Sequence, residues 1–176
     1  MRIISGEYRN RKLAAPEDLS IRPTMDRSKE ALFNIIGMDI YDASFLDLFA
    51  GSGSIGIEAL SRGASKVTCV DNNINSIKII NKNNEIVEGQ INVVKSDCVR
   101  FLEANTSQWG FIFMDPPYDI DLHIVNKLLE IIFTNNLLTE NGKVIIELAS
   151  DTKFEHPFVY DYRKYGASSF YFIKGA

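Results

Sequence analysis

The chain has 176 residues, 45% hydrophobic and 24% charged, with a formal net charge of −4, the length and mix of one ordinary globular enzyme domain with its own core. Its apolar runs are short and interrupted, which excludes a bilayer-spanning segment, and Met1–Lys12 lacks the apolar stretch of a secretory signal, so a cytoplasmic protein is expected. The two cysteines, Cys69 and Cys98, form no Cys-x-x-Cys pair and have no neighbouring histidine, so reduced thiols and no metal site are expected.

In chain order, Arg2–Ile4 and Arg11–Ala14 read as two short strands around a turn at Gly6. Asp26–Ile36 reads as a helix, with Ala31, Leu32, Ile35 and Ile36 at helical spacing, Thr24 or Asp26 as N-cap and Gly37 as terminator. Ser44–Phe49 is a buried strand, followed by a glycine-rich turn and a helix that runs to about Arg62 before Gly63. Strands then follow at Lys66–Val70, Ile91–Lys95, Phe111–Met114 and Lys143–Leu148. Helices alternate with them at Ile74–Asn84, Cys98–Asn105 and Leu122–Phe133. Phe158–Tyr165 and Ser168–Ile173 close the chain as a hairpin around Gly166. This alternation predicts an α/β fold: a mostly parallel seven-stranded sheet with helices on both faces and an antiparallel C-terminal hairpin. One domain is expected, with residues 1–20 as an N-terminal hairpin extension and 21–176 as the sheet.

Charge is unevenly spread. Residues 1–30 carry seven Arg/Lys against five Asp/Glu, leaving twelve against eighteen in the remainder. Arg2, Arg9, Arg11 and Lys12 face only Glu7 in the first fifteen residues, so that segment is either a phosphate-contacting patch or an ordinary solvated hairpin.

Ligands of open α/β sheets sit beyond the C-terminal strand ends, and two clusters fall there. The first is Asp47-Leu48-Phe49-Ala50-Gly51-Ser52-Gly53-Ser54-Ile55-Gly56, a G-x-G-x-x-G turn between strand and helix. Gly51 and Gly53 admit close backbone approach, and Asp71, twenty residues past Gly51, can accept the hydroxyl protons of a ribose. This pairing points to a nucleoside-containing cofactor but is shared with dinucleotide enzymes. The second cluster is Asp115-Pro116-Pro117-Tyr118, directly after an apolar strand. Its prolines remove two N–H donors, so the loop offers a carboxylate and rigid carbonyls beside a flat ring. That combination suits an exocyclic amino group. Accepting its N–H bonds localises the nitrogen lone pair, and the interaction strengthens as positive charge develops. Tyr118 would stack on the base.

The pairing of DLFAGSG with DPPY resembles the class I amino-methyltransferases, whose sheet is Rossmann-like. RIISGEYRNRKL, RPTMDRSKEALFNII and LDLFAGSGSIGIEALSRGA narrow the similarity to the bacterial family that methylates guanine N2 in 16S ribosomal RNA, the RsmD type. The likeness runs from Arg2 to about Glu147 and includes Lys164–Gly166. Glu7 and Asn10 depart from it, since the family more often has glycine or another small residue there. The resemblance implies S-adenosylmethionine as cofactor, S-adenosylhomocysteine as product and no metal. It places Asp47, Phe49, Gly51 and Gly53 under the methionine and ribose portions, Asp71 at the ribose with Asn72 beside the adenine, and Asp97 and the Cys98 backbone at the adenine. Arg22, Pro23 and Thr24 would fold over the methionine carboxylate. By themselves Asp97 and Arg22 read equally well as a helix N-cap and a surface ion pair.

The implied reaction is a direct in-line transfer to a flipped base, with orientation contributing up to about 7–11 kcal/mol. The expected substrate is ribosomal RNA within an assembling small subunit, because a monomer with one modest basic patch should bind naked RNA weakly. Other classes stay open. A DNA adenine-N6 or cytosine-N4 amino-methyltransferase shares the loop, and an NAD-dependent oxidoreductase shares only the glycine turn. A small-molecule N-methyltransferase would keep activity without residues 1–14, and a non-catalytic RNA-binding module would tolerate loss of Asp115. His123 and His156 have no assigned role.

Overall fold

A computed structural model describes residues 1–16 and 23–175. Its helices are α1 (Pro23–Ile36), α2 (Ser54–Ser61), α3 (Ile74–Ile86), α4 (Cys98–Ala104) and α5 (Leu122–Thr134), with a 3-10 turn at Gly37–Ile40. Its strands are β1 (Ser44–Leu48), β2 (Lys66–Asp71), β3 (Asn92–Lys95), β4 (Trp109–Met114), β5 (Leu138–Ala149), β6 (Val159–Tyr165) and β7 (Ser168–Lys174). They form one seven-stranded sheet in the order β3-β2-β1-β4-β5-β7-β6. The first five are mutually parallel, while β7 runs antiparallel to β5 and β6 antiparallel to β7. The mostly parallel sheet with its closing hairpin is the predicted α/β architecture.

Alternating strand residues feed two apolar layers. Phe45, Val67, Phe113, Ile145 and Phe170 pack with Phe33 of α1, Ile57 of α2 and Ile80 of α3 on one face. Leu46, Ile112, Val144 and Tyr171 pack with Leu102 of α4 and Ile132 of α5 on the other. The chain winds outward through β2 and β3, then returns to place β4 on the opposite side of β1. The strand order therefore reverses between β1 and β4, and open α/β sheets bind ligands beyond the C-terminal strand ends at such a point.

Three local expectations change. The N-terminal segment pairs through a single antiparallel bridge, Arg2 with Lys12, rather than two regular strands. The reason is competition. The Ile4 and Ser5 N–H groups donate to the buried Glu58 carboxylate at 2.8 and 3.0 Å instead of continuing a ladder. Nor is the segment a spare appendage, since Ile3, Tyr8 and Leu13 are buried in the same layer as Phe33 and Ile57. Its turn needs glycine: Gly6 has φ +88°, and a Cβ there would lie 1.7 Å from the Ser61 carbonyl oxygen. Asn10 also adopts a left-handed φ of 69°, a conformation asparagine tolerates better than most residues. Removing residues 1–14 would strip the core, so that deletion cannot separate a nucleic-acid enzyme from a small-molecule one.

Second, α1 begins at Pro23, so Thr24 and Asp26 fall inside its first turn and neither is the N-cap. Proline suits that first position because its missing N–H has no intrahelical partner there, and Asp26 instead places negative charge near the helix start. Third, β5 starts at Leu138 rather than Lys143. Leu138 pairs with Trp109, and a register shift absorbs the polar stretch before Lys143 pairs with Phe111.

Candidate active site

The glycine turn leaves β1 at Leu48 and enters α2 at Ser54. Phe49, Gly51 and Gly53 have φ of 60°, 57° and 75°, so three left-handed residues reverse the chain within five positions. Asp47 lies beneath the turn, 1% exposed, where its carboxylate accepts the Gly56 N–H at 3.0 Å and anchors the first turn of α2 to the sheet. Burial pushes its carboxyl pKa up to about 7; the Gly56 N–H opposes this and the negative charge of Asp71 reinforces it. Asp71 ends β2 and clamps the turn from the side. Its two oxygens accept the Gly51 and Asn73 N–H groups, each at 2.8 Å. Beyond Gly51 the space is open, with no atom nearer than 4.0 Å to where a Cβ would stand.

Asn72 is exposed beside Asp71, and Asp97 is exposed just past β3. Asp97 also caps α4 by accepting the Arg100 N–H at 3.1 Å, so the cap reading of that residue is structurally real. Cys98 is buried behind it as the first residue of α4. Burial pushes the Cys98 thiol up to about 12, which keeps it protonated. Gly51, Gly53, Asp71, Asn72, Asp97 and Cys98 thus converge on one edge of the sheet, with Asp47 below them. Arg22 lies outside the described residues, and of Pro23 and Thr24 only the backbone, opening α1, is placed. That helix is tied to the turn by Lys29, whose ammonium donates to Ser54 Oγ at 3.1 Å.

The acceptor loop sits next door. Leu48 of β1 is in register with Met114 of β4, so Phe49 and Asp115 emerge side by side from neighbouring strands. Asp115, Pro116, Pro117 and Tyr118 line a cavity of about 220 Å³ that also takes Glu147 and Thr152. Tyr118 is 81% exposed, its ring free to meet an incoming planar group. Asp115 lines the cavity and is exposed to solvent. Desolvation, then the charges of Glu147 and Asp47, raise its pKa well above the usual carboxylate range. The charge of Asp71 acts on Asp47 and that of Asp47 acts on Asp115, which reflects how close the two clusters lie.

Glu147 had no assigned role in the sequence. It interrupts the apolar run Val144-Ile145-Ile146-Glu147-Leu148, and an acidic residue inside a buried strand is the signal that marks it. Met114 pairs with Ile146, so Asp115 and Glu147 occupy the next register level on adjacent strands. Burial raises the Glu147 pKa, while the nearby Ser168 acts the other way.

Of the basic residues, Arg2, Arg9 and Lys12 are exposed. Arg11 is exposed but engaged: its guanidinium lies 4.6 Å from the centre of the Tyr8 ring and donates to the Ile86 carbonyl at 2.5 Å. His123 lies on the surface of α5, and His156 stacks between Phe154 and Phe133 with centroids 6.4 and 6.2 Å away. Among the described residues no group of three or more acidic, cysteine or histidine side chains is placed to hold a metal, and no helix is long and apolar enough to cross a membrane.

The geometry has counterparts. A family model described as Conserved hypothetical protein 95 matches residues 1–174. Ribosomal RNA small subunit methyltransferase D of Escherichia coli K12 is 40% identical over 143 residues, 81% of this chain and 68% of the relative. The solved structure of the E. coli protein yhhF superposes with a TM-score of 0.84 at 30% identity, covering 100% of this chain and 98% of that one. A hypothetical protein of Thermus thermophilus gives 0.85 at 27% identity, covering 99% of both chains. With its glycine turn and Asp-Pro-Pro-Tyr loop side by side on a class I methyltransferase sheet, the chain belongs to the Conserved hypothetical protein 95 family, the RsmD-type methyltransferases.

Proposed function

We propose that this protein transfers a methyl group from S-adenosylmethionine to the exocyclic N2 of a guanine in small-subunit ribosomal RNA. The observation that carries the reading is the cavity at Asp115–Tyr118, at the C-terminal ends of β4 and β5, next to β1 and the glycine turn that follows it.

The residues present fit the cofactor. The open space before Gly51 admits close approach of a ligand, the Asp71 oxygens keep lone pairs for ribose hydroxyls after accepting two backbone N–H groups, and Asp97 and the Cys98 backbone stand at the far rim for adenine. Phe49 and Gly53 shape the turn, Asp47 supports it from below, and Asn72 borders the adenine end; the family resemblance assigns Arg22, Pro23 and Thr24 to the methionine end. When bound, the cofactor supplies a methyl group on a sulfonium, which is already a good leaving group.

Asp115 and the Pro116 carbonyl accept the two N–H bonds of the target amine. This grip draws the nitrogen out of conjugation with the ring and aims its lone pair at the methyl carbon. Transfer of the methyl group to that lone pair would leave S-adenosylhomocysteine as the product. The positive charge on the nitrogen would be stabilised beside the Asp115 carboxylate until the extra proton passes to solvent, to which Asp115 is exposed. Pro117 stiffens the loop, and Tyr118 stacks on the base once it has left its helix, an extrusion that is cheapest in a loop or single strand. Arg2, Arg9 and Lys12 meet phosphates, with Arg11 presenting its outward edge. A patch this small favours a folded ribonucleoprotein, an assembling small subunit, over free RNA, and one copy of the chain carries the whole site.

Asp115→Ala tests the reading. Single-turnover methylation should fall about 10²–10³-fold, by analogy with loss of one transition-state hydrogen-bond partner, with cofactor affinity unchanged. Near-normal turnover by that variant, or a product other than N2-methylguanosine on nucleoside mass spectrometry, would refute it.

A further inference from the structure

We infer that Glu147 is the residue that reads guanine, accepting the N1–H of the target base while Asp115 accepts from the neighbouring amino group. This rests on the methyl-transfer reading above and adds the determinant of base identity.

The placement comes from strand register. Asp115 and Glu147 follow the paired residues Met114 and Ile146 on adjacent parallel strands and line one cavity. Ser168, the first residue of β7, is near enough to favour the charged form of Glu147. Two carboxylates side by side on one cavity wall repel each other, so the arrangement costs stability unless a ligand brings donors to both. The Watson–Crick edge of guanine does this. Its N1–H and N2–H₂ groups form a contiguous row of donors, matched to two adjacent acceptors and a rigid carbonyl. Adenine presents an amino group beside a bare N1 acceptor, and cytosine an amino group beside a bare N3, so either would set a lone pair against Glu147. The Asp-Pro-Pro-Tyr loop alone grips any exocyclic amine. A carboxylate one register step away distinguishes the neighbouring ring atom.

The test uses the full-length protein and small ribosomal particles reconstituted with RNA in which the guanosine methylated by the wild-type protein is replaced by 2-aminopurine. That analogue keeps the 2-amino group and lacks N1–H. Single-turnover transfer of labelled methyl from S-adenosylmethionine is measured on both particles. The wild type should favour guanosine by about 10–100-fold, the worth of one hydrogen bond to a charged acceptor. Glu147→Gln can present either its carbonyl or its amide NH₂, so the preference should narrow to a few-fold, chiefly through faster reaction of the analogue.

Equal rates of the wild-type protein on both particles would overturn the inference without any variant being made. So would a Glu147→Gln protein that binds cofactor normally and keeps the full preference. Wild-type methylation of a base other than guanine would instead sink the underlying functional reading. Methylation of guanine with no role for Glu147 sinks only this one.

Discussion

Replacing Glu58 by glutamine should unfasten the N-terminal segment, and the structure sets the size of the effect. Glu58 is fully buried on α2 and answers four partners. It accepts from the Ile4 and Ser5 N–H groups and from Arg62 Nε at 2.8 Å, and it faces the Lys29 ammonium at 3.5 Å. Lys29 is itself 3% exposed, donating to the Arg2 carbonyl and to Ser54 Oγ. Glutamine preserves volume, so no cavity term enters. It removes the charge that compensates Lys29 and turns one acceptor into a donor facing other donors. Breaking a buried pair from one side costs about 3–5 kcal/mol, against a total stability of roughly 5–15 kcal/mol for a domain. In urea, with a slope of about 2 kcal/mol/M, the midpoint should fall by roughly 2 M.

The same variant has a pH signature. Burial lowers the Lys29 pKa and Glu58 partly restores it; without Glu58 it drops further. A lysine whose folded pKa lies below its unfolded value makes the native state bind fewer protons than the unfolded state, so stability rises with pH in that window. The deficit of Glu58→Gln should therefore shrink as pH climbs from 7 towards 10. An unchanged midpoint, or a deficit independent of pH, would show that the buried charge pair is not what holds the segment.

Two further substitutions probe other links. Gly56→Ala places a Cβ 2.5 Å from Cys69 Sγ and 3.4 Å from Asp47 Oδ2, in a helix that cannot lift from the sheet without losing the Asp47 anchor. It should lower stability by about 1–3 kcal/mol and weaken cofactor binding by calorimetry; tighter or equal binding would argue against a rigid helix–strand contact beneath the turn. Arg9→Glu with Lys12→Glu alters exposed residues outside the cavity. It should weaken association with small-subunit particles and flatten the dependence of log affinity on log salt by about two phosphate contacts, with cofactor affinity unchanged. An unaltered salt slope would remove this face from the RNA contact.

Much of the site was legible because its signals are local. A strand running into Gly51-x-Gly53 must reverse, since a tight left-handed turn selects glycine whatever surrounds it. Asp-Pro-Pro-Tyr is acceptor-rich because proline lacks an N–H in any context. Helix α5 follows from the spacing of Val125, Leu128, Leu129 and Ile132, all buried. By contrast, the N-terminal strands looked regular because their pattern of Ile3 and Leu13 suits a hairpin, and nothing nearby in the chain reveals Glu58.

The sequence by itself determined the order of strands and helices, the glycine turn and the acceptor loop, all properties of chemistry within a few residues. Tertiary structure decided that Glu147 stands beside Asp115, thirty-two residues away, through the register of β4 against β5. It also decided that Ile4 and Ser5 bond to a carboxylate more than fifty positions downstream rather than to a facing strand. A buried carboxylate needs several donors at once, and which distant groups supply them is settled only when the layers pack.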